Sequence, residues 1–210
     1  MSKEKPKYEL IKYKPKELVA LVDDLFALEK DILPGRMPDS LWKELRGLYR
    51  QNKNQELLDR LNGFGQRYKN DERFFWLCGH AKGELKDYEG AIEDYTEAIA
   101  IDPKYALAYR KRGIAKRNLI DNEGAIKDYS QAIAIDPKYA LAYINRGFAK
   151  GYNLTDYEGA IKDYSQAIEI DPEYADAYRR RGLAKGSLKD YEGAIEDYTQ
   201  AIAINPVVYP

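Results

Sequence analysis

The chain's one histidine and one cysteine are His80 and Cys78. Together they could form a nucleophile and its base. They stand two residues apart in a stretch with helical periodicity, and that spacing points them to different sides of a helix rather than at one substrate. We read them as a packing cysteine and a surface or groove histidine. One cysteine rules out an internal disulfide and, with a single histidine, leaves little for a Cys/His metal site. Gly63-Phe64-Gly65 lacks the Lys-Ser/Thr sequel and the preceding strand of a phosphate loop. Asn153-Leu154-Thr155 fits a glycosylation acceptor, which we read as a chance match because no secretory signal is expected. Carboxylates remain. Asp94, Asp128, Asp163 and Asp197 recur once per unit of a repeated text, and a catalytic acid does not need four equivalent copies. No catalytic residue, metal or cofactor is expected.

The repeated text organises everything else. Asp87 to Ala106, DYEGAIEDYTEAIAIDPKYA, returns at Asp121, Asp156 and Asp190 with spacings of 34, 35 and 34 residues. A self-similar period of that length marks a repeat array. From Ala106 to Asn118, Tyr109, Gly113 and Lys116 share a helical face, and from Glu123 to Ile135 so do Ala125, Tyr129, Ala132 and Ile133. Each unit is therefore two amphipathic helices. Asp121 can cap the second with Glu123 in its first turn, and Pro137 stops it by denying Asp136 the α conformation. Gly113 and Ala125 have almost no side chain, so the paired helices can approach closely. A lone pair cannot bury both faces, and stability must come from stacking on neighbours.

Small residues at Gly113, Ala125 and Ala132, aromatics at Tyr109 and Tyr129, and a closing Asp-Pro or Asn-Pro resemble the tetratricopeptide repeat (TPR), a helix-turn-helix of 34 residues. The resemblance covers about residues 72–208. It implies an all-α, right-handed superhelical solenoid with units at 72–105, 106–139, 140–174 and 175–208. Arg112, Arg146 and Arg181 stand where the family usually has leucine, and Cys78 holds that place in the first unit. We expect each arginine to reach back to the preceding unit, pairing Asp94 with Arg112, Asp128 with Arg146 and Asp163 with Arg181. The alternative is pairing within one unit, which leaves Asp94 over.

Before the array, residues 1–37 read as an extended Lys/Pro-rich segment and a capping helix. In that helix, Lys16 to Leu33, Leu18, Leu21, Val22, Leu25, Leu28 and Ile32 form a stripe ended by Pro34-Gly35. Asp39 or Ser40 can cap a next helix, and Glu56 to Tyr68 a further one. Trp42 lies 33 residues before Phe75. Residues 38–71 therefore read as a degenerate helical hairpin, with Gly63 and Gly65 where a good second helix would want alanine. The alternative is a separate small domain over the first 70 residues.

Basic and acidic residues nearly balance, 34 against 35, for a net charge of −1. That removes the long-range attraction to phosphate on which nucleic-acid binding depends. The start, MSKEKPKYELIKYKPK, has no apolar core for a signal peptide, and no window approaches about 18 apolar residues. We read the chain as cytoplasmic, without a membrane or nucleic-acid partner.

The resemblance implies a concave groove lined by the first helix of each unit, where a protein or peptide partner would bind. Arg73, Trp76, His80 and Glu84 should line it in the first unit, with Leu107, Arg110, Lys111, Ile114 and Arg117 in the second. Leu141, Ile144, Asn145, Phe148 and Tyr152 follow from the third, and Asp176, Arg179, Arg180 and Leu183 from the fourth. Basic groups around Ile144 and Phe148 suit a peptide with acidic ends and a hydrophobic middle. The clamp with which TPR domains hold carboxylate-ending chaperone tails would fall on Arg110, Ile114, Asn145, Asp176 and Arg180. Ile114 cannot donate there and Asp176 would repel a carboxylate. The last second helix, with Ile195, Tyr198 and Ile202, has no following repeat to cover it. A weak homodimer through this face, or a lid formed by Val207, Val208 and Tyr209, would do so.

Overall fold

The computed structural model describes residues 35–65 and 67–206. Among these it contains ten α-helices and no strand. α1 (Asp39–Arg50) and α2 (Asn54–Asn62) form a first hairpin, followed by α3 (Glu72–Glu84) and α4 (Tyr88–Ile101), then α5 (Ala106–Asn118) and α6 (Asn122–Ile135). α7 (Ala140–Phe148) runs into a π-helical segment, Ala149–Asn153, and packs with α8 (Tyr157–Ile170), while α9 (Ala175–Ser187) and α10 (Tyr191–Ile204) close the array. Helices pack chiefly on their sequence neighbours, α3 on α4, α4 on α5 and so on to α10. No helix among the described residues is long and apolar enough to cross a membrane. The stripe expected over Lys16 to Leu33 and the lid at Val207–Tyr209 lie outside the described residues.

The punctuation works as the sequence suggests. Asp87, Asp121, Asp156 and Asp190 each cap a second helix, accepting from the backbone N–H three residues on. Each is preceded by a non-glycine residue at positive φ: Lys86, Ile120, Thr155 and Lys189. Within a unit the first helix approaches the second so closely that a Cβ on Gly113 would come within 2.6 Å of the Tyr129 ring, a buried side chain. Glycine is required there by proximity, not by its backbone angles.

The third unit departs from the pattern. Its extra residue is taken up inside the first helix, where the Asp156 N–H reaches back to the Lys150 carbonyl across a widened turn. The widened turn is the last of that helix, which ends at Asn153.

At the N-terminal side two expectations are corrected. α1 begins at Asp39 behind Pro38 with no side-chain cap, and the Asp39 carboxylate instead accepts from Arg73 Nη1 at 2.8 Å. α2 stops at Asn62 rather than near Tyr68, because the chain turns at Gly63 and takes φ 54° at Gly65. Asp71 fastens this hairpin to the array. Fully buried, it accepts from the Met37 N–H at 2.8 Å and the Arg73 guanidinium at 2.8 Å. Burial opposes its ionisation, yet Arg73 and the Met37 N–H hold its carboxyl below the ordinary aspartate range.

Candidate peptide-binding groove

The polar residues that recur in every unit prove to be internal fasteners. Arg112 clasps Asp128 with both guanidinium arms at 2.9 and 2.7 Å, Arg146 clasps Asp163 at 3.0 and 2.6 Å, and Arg181 clasps Asp197 at 2.9 and 2.6 Å. All three pairs lie within a unit, which corrects the expected pairing between units. The reason is geometric: the Gly113–Tyr129 contact sets Arg112 and Asp128, one residue earlier on each helix, face to face. A second cation, Lys116, Lys150 or Lys185, meets the same carboxylate at 2.8, 2.9 or 3.0 Å. The link between units is the arginine's remaining arm, which donates to a hydroxyl on the preceding second helix: Thr96, Ser130 and Ser165 at 3.0, 3.1 and 3.1 Å. In the first unit Cys78 replaces the arginine and Asp94 is left with Lys82 at 2.8 Å. Burial then keeps the Asp94 carboxyl above its ordinary value.

His80 and Cys78 are both buried. Burial pushes the Cys78 thiol up to about 12 and, with Lys111 nearby, the His80 imidazole down to about 4. His80 stacks on Trp76 and meets the edge of Tyr49 from α1, so the first hairpin covers Trp76 and His80. Arg73 is spent on Asp71, Asp39 and the Met37 carbonyl. The first unit thus contributes less open groove than expected.

The remaining groove residues divide into two neighbourhoods. Lys111 and Ile114 line a cleft of about 270 Å³ with His80 and Glu84. Burial and adjacent Arg110 depress the Lys111 ammonium, while Glu84 at 4.0 Å opposes them. Arg110 donates to the Tyr139 hydroxyl at 2.6 Å and lies over that ring. Ile144 is buried against the fourth unit, and the Asn145 Nδ2 is buried without a hydrogen-bond partner among the described residues.

The second neighbourhood is a larger cleft of about 570 Å³, bounded by Phe148, Tyr152, Tyr157, Tyr164, Arg179, Arg180 and Leu183. The guanidinium carbons of Arg117 and Arg180 lie 5.0 and 4.9 Å from the centre of the Phe148 ring, and Tyr152 stacks on the same ring at 5.1 Å. Arg179 and Arg180 both donate to Asp176, which their guanidinium groups hold below the ordinary aspartate range against the opposing effect of burial. The groove prediction lacked Tyr157 and Tyr164, which come from the second helix of the third unit. Only their recurrence once per unit marked them in the sequence, and it suggested core.

An array of helix hairpins stacked in sequence order, each carrying the same small-residue contacts, defines an α-solenoid. Models of the TPR repeat match residues 71–118, 121–151 and 152–188, and a tetratricopeptide repeat model matches 175–206. These matches span well over half of the 210 residues, and the chain belongs to the tetratricopeptide repeat family, a class of protein-interaction scaffolds that are generally non-catalytic. The matched segments meet at 151/152, inside the π-helical insertion.

Solved structures share the fold. MamA (residues 41 to the end) from Desulfovibrio magneticus RS-1 is 21% identical, with a TM-score of 0.70 over 80% of this chain and 94% of that one. YrrB, described as a TPR protein with an unusual peptide-binding site, is 17% identical, with a TM-score of 0.68 over 90% and 93%. The first TPR of Spaghetti (RPAP3), bound to the HSP90 peptide SRMEEVD, is 26% identical, with a TM-score of 0.55 over 56% and 93%. No curated protein matches the chain.

Proposed function

We propose that this chain is a non-catalytic scaffold that holds a peptide or protein segment bearing acidic groups along its concave face. The observation that carries the reading is the pair of guanidinium groups, Arg117 and Arg180, drawn to within 5.0 Å of one aromatic ring beside a 570 Å³ cleft. Cations clustered on an apolar floor are suited to carboxylates flanking hydrophobic side chains. Arg110, Lys111 and Arg179 extend the basic character, and Ile114, Ile144 and Asn145 form the apolar and amide ground between them. Two of the similar structures are described by the peptides they take, which supports the same use here. The reading does not extend to a carboxylate-tail clamp, because Ile114 offers no donor and Asp176 puts a carboxylate where the clamp needs a cation. Residues 38–71 are proposed as a degenerate hairpin that closes the array.

The test is charge reversal of Arg117 and Arg180 together, read by fluorescence anisotropy on acidic peptides. Losing one buried charge pair commonly costs about 2 to 5 kcal/mol, so binding should fall by more than tenfold with circular dichroism unchanged. Affinity retained at low salt would place the site elsewhere.

A second association is proposed at the far end of the array. Along α10, Tyr191, Ile195 and Ile202 are exposed, Ile195 by 64% and Ile202 by 45%. A two-fold pairing of this face with its copy would cover them.

A further inference from the structure

Two helices of the array are almost the same helix in different surroundings. α4 reads YEGAIEDYTEAIAI and α10 YEGAIEDYTQAIAI, so they differ only at Glu97 against Gln200. Each packs on the first helix of its own unit, but α4 also carries α5, whereas no helix follows α10 among the described residues. The difference in exposure is therefore the footprint of α5. On α4, Tyr88, Ile92 and Ile99 are partly buried and Tyr95 is buried. Their counterparts on α10, Tyr191, Ile195 and Ile202, are 63%, 64% and 45% exposed, and Tyr198 is only partly buried.

The helices already seated on such faces say what fits. α5 sets Ala108 and Ala115 into one cluster with Tyr95 and Ala98 of α4, and α9 sets Ala177 and Ala184 into one with Tyr164 and Ala167 of α8. Two alanines seven residues apart share a helix face, and their small size leaves room for the large side chains of the second helix. An arginine stands on the same face, four residues after the first alanine. Arg112 donates to Thr96, Arg146 to Ser130 and Arg181 to Ser165. Thr199 is the counterpart of Thr96. Both hydroxyls donate one turn back, to the Ile92 and Ile195 carbonyls at 2.7 and 2.8 Å, but Thr199 accepts from no arginine among the described residues. Charge agrees: α10 exposes Glu192 and Glu196, and α5 carries five basic residues and no acidic one.

We propose that the open face of α10 is a docking site for a basic helix of another protein, with small residues at i and i+7 and an arginine at i+4. That helix is the leading helix of a further repeat unit, supplied in trans. The three helices of this chain that carry the pattern, α5, α7 and α9, are each seated on the second helix before them, so a folded second copy offers none. The docked helix and the two-fold pairing exclude one another because both need Ile195 and Ile202. The groove, built on first helices, is a separate site, and the proposal does not rest on it.

The probe is a labelled, amidated copy of residues 105–118, held helical by a hydrocarbon staple between positions 110 and 114, on the face opposite Ala108 and Ala115. Its helicity is checked by circular dichroism and its binding to the full chain is read by anisotropy. Saturation should come below about 1 mM. Ile195→Gln with Ile202→Gln, charge-neutral changes at exposed positions, should weaken binding at least about tenfold with the fold intact. Thr199→Val should cost about threefold, and Arg112→Ala in the peptide about the same, with little further loss when the two are combined. A helical peptide that fails to saturate overturns the docking site. Undiminished binding to the double glutamine variant overturns its location, and undiminished binding of a peptide with Ala108→Glu and Ala115→Glu overturns the small-residue stripe. None of these results bears on acidic peptides in the groove, so the two readings fail separately.

Discussion

A buried carboxylate held by one guanidinium and one ammonium is the recurring polar unit of this protein. Asp163 is 2% exposed, and its two cations replace the water it gave up. Such clusters contribute little net stability compared with an apolar core, but removing one partner leaves an uncompensated charge and costs about 3 to 5 kcal/mol. A double-mutant cycle of Arg146→Leu with Asp163→Leu should therefore show coupling of about 1 kcal/mol or more, and Arg146→Leu with Asp128→Leu under about 0.5. The reverse order would contradict the clasp. These residues were legible in the sequence as partners, but their direction was not. The missing arginine at Cys78 suggested an offset by one unit, whereas the Gly113–Tyr129 contact decides the pairing and has no signature in spacing alone. His80 carries a second expectation. Its folded-state value of about 4 lies below the ordinary 6.5, so between these pH values the unfolded chain binds the extra proton. Stability is full above pH 6.5 and falls as the pH drops toward 4, by up to about 3 kcal/mol. Glu84, 3.8 Å from Nδ1, is half exposed and too screened to reverse this. His80→Phe keeps the stacking on Trp76 and should lose the part of the acid sensitivity that lies in this window, measured by urea unfolding across pH. Equal acid sensitivity in both proteins would assign the effect to carboxylates.

Within a unit, the crossing of first and second helices rests on glycine facing tyrosine. At Gly113 an added Cβ would meet a Tyr129 ring that is wholly buried and cannot yield, whereas at Gly182 it would meet Tyr198, a partly exposed ring on the last helix. Overpacking costs about 1 to 3 kcal/mol and the gain in helix propensity returns about 1. Gly113→Ala should consequently destabilise by about 1 to 2 kcal/mol and Gly182→Ala by distinctly less, as thermal unfolding would show. Equal losses would mean that the close approach is not the determinant. Element positions were legible because capping aspartates, small residues and prolines all act locally. The π-turn was not: a spacing of 35 announces one extra residue but cannot say whether loop or helix absorbs it. The first hairpin was legible as helical, yet its burial of Trp76 and His80 depends on where Tyr49 lands, which is a tertiary fact.

At the scale of the molecule, the two ends differ. The first hairpin is fastened by Asp71 and Arg73, while α10 turns Ile195 and Ile202 outward. Sedimentation over a wide concentration range should show a two-fold dimer that Tyr198→Glu with Ile202→Lys returns to monomer. A wild type monomeric at the highest concentration would overturn that pairing. The units also sort charge by helix. First-helix segments 106–118, 140–153 and 175–187 carry eleven basic side chains and one acidic one, whereas α4, α6, α8 and α10 expose eight glutamates against two lysines. A net charge of −1 therefore conceals a dipole across the width of the solenoid, its positive side toward the groove. If the proposed function holds, an acidic segment would be turned toward that side before contact and captured faster than the average charge would allow, an advantage that dissolved salt would progressively erase.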